Sequence, residues 1–112
     1  MLVQLALWLT AEPIRRQGMV KALRSLARSA QLERGCQSSH VYEEAGRPEA
    51  LCYVEDWATA EDLNRQLGSD RVARLFSVME GAMEPPVLEF RFVSETRGMD
   101  YVTAQREAAK ED

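Results

Sequence analysis

This sequence is poorest in the residues that usually carry metal and covalent chemistry: its 112 positions hold one histidine and two cysteines. A single imidazole excludes HxH and HExxH metal sites. Cys36 and Cys52 form neither a CxxC pair nor any other ligand spacing. GxSxG elbows and glycine-rich phosphate loops are also missing, and neither cysteine has a basic sequence neighbour to activate it. No apolar run approaches the roughly 18 residues of a membrane span. The apolar stretch Leu2 to Leu9 lacks a basic lead-in and alternates like a strand, so it does not read as a signal peptide, and the expected location is cytoplasmic. Basic surplus is lacking too. A net charge of -4 and a pI near 5.1 argue against nucleic-acid binding, which needs a concentrated cationic surface. Arg15, Arg16, Lys21, Arg24 and Arg28 do cluster, but at the spacing of one solvated helix face. Glu43-Glu44 and Glu61-Asp62 read as solvated surface.

What is present is an ordinary apolar fraction, 46%, enough for one small domain with a real core. The stretch Leu51 to Phe76 is the most informative. Leu51, Tyr53, Glu55 and Trp57 alternate against Cys52, Val54 and Asp56, giving a strand with two different faces. The period then changes at Thr59, whose hydroxyl sits three residues before Asp62 as a helix N-cap. Gly68-Ser69-Asp70 reads as a stop and a second N-cap, after which Val72, Leu75, Phe76 and Met79 recur at helical spacing and should face a core.

Earlier in the chain, Leu2 to Thr10 alternates as a first strand, with Val3, Leu5, Leu7 and Leu9 on an aliphatic face. Gln4 and Trp8 share the other face, a candidate partner surface. Glu12-Pro13 opens a helix whose apolar positions are Ile14, Met19, Leu23, Leu26, Ala27 and Ala30; Arg34 belongs to its last turn and Gly35 ends it. Cys36 to Glu44 and Glu49 to Trp57 form a hairpin around Ala45-Gly46-Arg47-Pro48. A symmetric register sets Glu44 opposite Glu49, Val41 opposite Cys52 and His40 opposite Tyr53. It also keeps Cys36 and Cys52 about 17 Å apart, beyond disulfide reach, so both should be free thiols. Val87 to Glu95 is a fourth strand, Met99 to Val102 is a short apolar segment, and Ala104 to Asp112 is a polar, frayed terminus.

The order strand, helix, strand, strand, helix, strand predicts an α+β ferredoxin-like βαββαβ sandwich, a four-stranded antiparallel sheet with helices on one side. Residues 1–95 form the domain and 96–112 an extension. The bare sheet face, carrying Leu2, Trp8 and the hairpin aromatics, argues for a homodimer.

Under that register Ser38, His40, Tyr42, Tyr53, Glu55 and Trp57 share one hairpin face. His40, Tyr53 and Glu55 then make a catalytic, proton-handling group suited to deprotonating a phenol. Trp8, Tyr42, Trp57, Phe76 and Arg91 are candidate substrate contacts. The plainer readings are a cross-strand His–Tyr pair, core or dimer-interface tryptophans, a core Phe76 and an ion pair between Arg91 and Glu89 or Glu55.

Gly35-Cys36, Glu55-x-Trp57, Thr59-Ala60-Glu61-Asp62-Leu63 and Leu67-x-Ser69, with the chain length, resemble the antibiotic biosynthesis monooxygenase (ABM) domain family of dimeric ferredoxin-like proteins, over about residues 2–95. The resemblance implies a homodimer with sheets face to face and a dimeric α/β barrel. For some members it implies cofactor-independent oxygenation of quinols or polycyclic aromatic phenols, without metal. Many members carry histidines where this chain has Gln66 and Arg71. The haem-degrading branch carries a tryptophan and a histidine where Gln66 and Phe76 stand, so haem degradation is not expected. The expected activity is oxygenation of a quinol-like aromatic; the alternative is a non-catalytic dimeric module that binds a small apolar ligand or has a regulatory role.

Overall fold

The computed structural model describes residues 1–111. Their elements are β1 (Leu2–Thr10), α1 (Pro13–Gln31), β2 (Cys36–Glu44), β3 (Arg47–Trp57), α2 (Ala60–Leu67), α3 (Asp70–Glu80), β4 (Val87–Val93) and α4 (Met99–Glu111). The strands form one antiparallel sheet in the order β2-β3-β1-β4. This is the ferredoxin-like α+β arrangement, with the helical cover split into α1, α2 and α3. No helix among the described residues is long and apolar enough to cross a membrane.

Alternation in β1 decides which sheet face is covered. Val3, Leu5 and Leu7 are wholly buried and Leu9 nearly so, packed with Met19, Leu23 and Leu26 of α1 and Leu75 of α3. The caps fall where the sequence places them. Thr59 Oγ accepts from Asp62 N at 3.1 Å, and Ser69 Oγ accepts from Val72 N at 3.2 Å. Each satisfies an amide that the first helical turn leaves unpaired.

Several local expectations are corrected. Helix α1 ends at Gln31, so Arg34 lies beyond it and Arg28 is the basic residue of its last turn. Gly35 does take a left-handed φ of 89°, but in the turn after the helix. Ile14 is exposed, although Ala11 just before the helix is buried. Phe76 is 41% exposed, while Val72 and Leu75 are fully buried. The segment read as a polar tail forms helix α4, with no buried residue.

The hairpin register differs by one residue. Strand β3 begins at Arg47, which pairs with Glu44 across the tight Ala45-Gly46 turn, and an irregularity at Glu43/Glu44 resets the ladder. Gly46 has φ 83°, the left-handed geometry such a two-residue turn demands. Beyond it, Tyr42 pairs with Cys52, Val41 with Tyr53, His40 with Val54 and Ser39 with Glu55. A slip of one residue sends alternate side chains to the opposite sheet face. Cys36 pairs opposite Trp57, and both cysteines are free, as expected.

Candidate functional site

The register divides the sequence-predicted site between two sides of the sheet. Tyr53, Glu55 and Trp57 lie under the helices, each with no exposed surface. Glu55 has four donors from three side chains. Tyr53 Oη donates at 2.5 Å and Trp57 Nε1 at 3.0 Å, while Arg71 donates through Nη1 at 2.5 Å and Nη2 at 3.5 Å. Arg71 comes from the first turn of α3, and its guanidinium also lies 5.8 Å from the Trp57 ring. From there Arg71 Nη2 donates to Gln66 Oε1, and Gln66 Nε2 donates to Glu33, so the chain of polar groups reaches the surface.

The electrostatics make this cluster a closed ion pair. Burial works against the charge on Arg71, but its hydrogen bonds and attraction to Glu55 more than offset that and hold it protonated. Burial, with the negative charge of Glu55 beside it, pushes the Tyr53 hydroxyl far above its ordinary value. Tyr53 is therefore a donor fixed on Glu55 and not a base. Arg71 Nε and Ser39 Oγ are buried in the same region without partners. Arg71 was missed as a site residue because its sequence neighbourhood gives only a solvated helix start; the apolar Val72 and Leu75 beside it were the available signal.

On the opposite face the cross-strand pairs make three rows: Ser38, Asp56, Gln4, Arg91; His40, Val54, Ala6, Glu89; and Tyr42, Cys52, Trp8, Val87. The first row is polar and bonded. Ser38 Oγ and Gln4 Nε2 both donate to the Asp56 carboxylate, at 2.8 and 2.9 Å. The third row floors a groove of about 450 Å³ lined by Trp8, Tyr42, Cys52, Pro85 and Val87, with Glu43, Glu44, Arg47 and Glu84 around it. Its far wall exists because the segment after α3 is tied to β1: Met83 N and Glu84 N donate to the backbone and side-chain oxygens of Thr10. The Arg91 guanidinium stands 5.0 Å over the Trp8 ring and pairs with Glu89 at 3.1 Å. His40 is exposed, its ring 6.0 Å from that of Tyr42.

Of the eight sequence-predicted residues, Trp8, Tyr42, His40 and Arg91 thus come together on the open face, Tyr53, Glu55 and Trp57 come together in the core, and Phe76 joins neither. The thiols are quiet. Burial raises the Cys36 pKa with help from Glu55, and burial raises that of Cys52. Among the described residues no three His, Cys, Asp or Glu side chains converge as metal ligands would.

Known structures share this architecture. A Deinococcus radiodurans protein assigned as an antibiotic biosynthesis monooxygenase superposes with a TM-score of 0.77 at 16% identity, covering 88% of this chain and 97% of its own. Rv0793 from Mycobacterium tuberculosis gives 0.75 at 19%, covering 88% and 100%. A Bacteroides thetaiotaomicron protein of unknown function, described as a possible oxidoreductase, gives 0.73 at 20%, covering 80% and 95%. No curated protein matches the sequence. At these identities the structures speak for the fold alone, but the sequence profile described as "Antibiotic biosynthesis monooxygenase" matches residues 1–77, well over half the chain. The protein belongs to the antibiotic biosynthesis monooxygenase family.

Proposed function

We propose that this chain is a cofactor-independent monooxygenase of quinol-like or polycyclic aromatic phenols, working in the groove on the open sheet face. The observation that carries the reading is the aromatic floor of that groove, Trp8 beside Cys52 and Tyr42 with Val87 at its edge. Flat apolar walls with a few polar groups at the rim suit a planar phenol. Family membership supports an oxygenase as the reaction class.

In this reading His40, one ring away from the groove, takes the phenolic proton. The resulting anion is electron-rich enough to reduce O2 directly. A ring C–H or CH2 of the substrate becomes C=O; one oxygen atom stays in the product and the other leaves as water, which accounts for both oxygens and all four electrons. Arg91, stacked over Trp8 on the side of the groove away from His40, holds positive charge towards the far end of the bound ring system. Tyr53, Glu55 and Trp57 serve from behind the sheet as positioning residues that fix β3. A second copy facing the open sheet completes the enclosure.

One observation favours a second reading, a non-catalytic module that binds the same class of ligand: Glu55, a residue expected to handle protons, is locked by Arg71. Oxygen consumption by the purified protein over a panel of hydroquinones and anthrone-like phenols separates the two. Uptake above the autoxidation blank, falling at least tenfold in His40→Ala, supports the oxygenase. A folded protein with no uptake leaves the binding module.

A further inference from the structure

Helix α4 has no place in the reaction above, yet its structure needs a partner. It runs Met99–Glu111 with no buried residue, and Met99 and Val102 are 75% and 44% exposed. An isolated helix of this length is marginal in water, so such a helix normally owes its stability to a packed face. The chain does not supply that face to itself. Its radius of gyration is 17.1 Å and its extents are 56 × 35 × 21 Å, against roughly 13 Å expected for a compact domain of this size. Helix α4 therefore projects from the body. The three related structures span 95–100% of their own chains but only 80–88% of this one, so this chain carries length that they do not match.

The helix has a definite face. At 100° per residue Met99, Val102, Arg106 and Lys110 fall on one side, and Tyr101, already stacked on Arg97 at 5.2 Å, falls on another. That face is apolar at its start and cationic further along. The open-face groove is complementary: an apolar floor of Trp8, Tyr42 and Val87, with Glu43, Glu44 and Glu84 beside it. Arg47 is paired with Glu44 and Glu49, Arg16 with Glu43, and Arg91, over the Trp8 ring, with Glu89, which leaves Glu84 as the rim carboxylate without an ion pair among the described residues.

We propose that α4 of one copy seats across the open-face groove of a second copy as its roof, Met99 and Val102 over the aromatic floor and Arg106 and Lys110 towards Glu84 at the rim. The groove is then a composite site, walled by one chain and closed by the other. This rests on shape and charge, whatever chemistry the groove performs.

The free thiol of Cys52 in the groove floor gives a direct test. Val102→Cys, at an exposed position, is oxidised with diamide under conditions in which Cys52 is shown to react, and its products are sized without reductant and mapped by peptide mass. The expected product is a covalent dimer bridged through Cys52, at least tenfold more abundant than from Ala104→Cys, which lies 200° round the helix. A bridge within one chain would seat α4 on its own groove. Bridging through Cys36 alone, equal bridging from both variants, or none, would mean that α4 does not dock there. Each of these outcomes overturns the proposal, and none depends on turnover, so failure here is distinct from failure of the oxygenase reading.

Discussion

At the scale of single residues the decisive group is Glu55, a carboxylate with no exposed surface whose charge is matched by one guanidinium. Removing one partner of a buried pair costs far more than the pair itself contributes, because the remaining charge stays desolvated. Arg71→Met should therefore lower unfolding free energy by about 3–5 kcal/mol, read from the denaturant midpoint, whereas Glu55→Gln with Arg71→Met together should cost less than Arg71→Met alone. Tyr53 makes a prediction in pH. Its folded pKa is raised, so between the ordinary tyrosine value and the folded one the native state holds a proton that the unfolded chain has lost. That stabilisation is complete below pH ~10 and declines as pH rises beyond it, by up to about 1.4 kcal/mol per unit. Tyr53→Phe should flatten the decline in a series of denaturant melts; an unchanged slope would remove Tyr53 as its source. The alternation Tyr53-x-Glu55-x-Trp57 was legible in the sequence, and so was the proximity of these three. Their counter-ion was not, because the contact joins strand to helix across a turn and leaves no periodic signature.

Among elements, the caps and breaks were legible because each has a local cause. Thr59 and Ser69 hold backbone amides, and Thr59→Ala should cost about 1 kcal/mol in the same melts. Gly35 was legible only as a terminator. In the structure its position is set twice over, by its left-handed φ and by Asp62, whose carboxylate a Cβ at position 35 would strike. Gly35→Ala should destabilise by about 1–3 kcal/mol, and Asp62→Ala in that background should restore the share due to collision but not the share due to φ. Full recovery would assign the whole cost to the clash. The hairpin register was the element-level feature that sequence symmetry could not fix. A two-residue turn and a bulge shift it by one, and that single step moves His40 and Tyr42 away from Tyr53 and Glu55.

On the scale of the whole molecule, the order of strands and helices was enough to specify the sandwich, since antiparallel pairing and right-handed crossovers leave few alternatives. The sidedness of the sheet then separates two tasks that the sequence had merged. The helix-covered face holds the aliphatic core and the Glu55–Arg71 pair, and the open face holds the aromatic groove. Helix α4 was legible only as an apolar start and a polar end, because it buries no residue against its own chain's body. The account stands on the open-face groove being the ligand site, and the two tryptophans report on the two faces separately: Trp8 floors the groove, and Trp57 is sealed in the core. The most direct measurement is a titration of intrinsic tryptophan fluorescence with a hydroquinone or anthrone-like phenol, in the unmodified chain and in Trp8→Phe. The account predicts saturable quenching in the first and none in the second, where only Trp57 emits. Saturable quenching that survives Trp8→Phe would place the ligand between sheet and helices and contradict it.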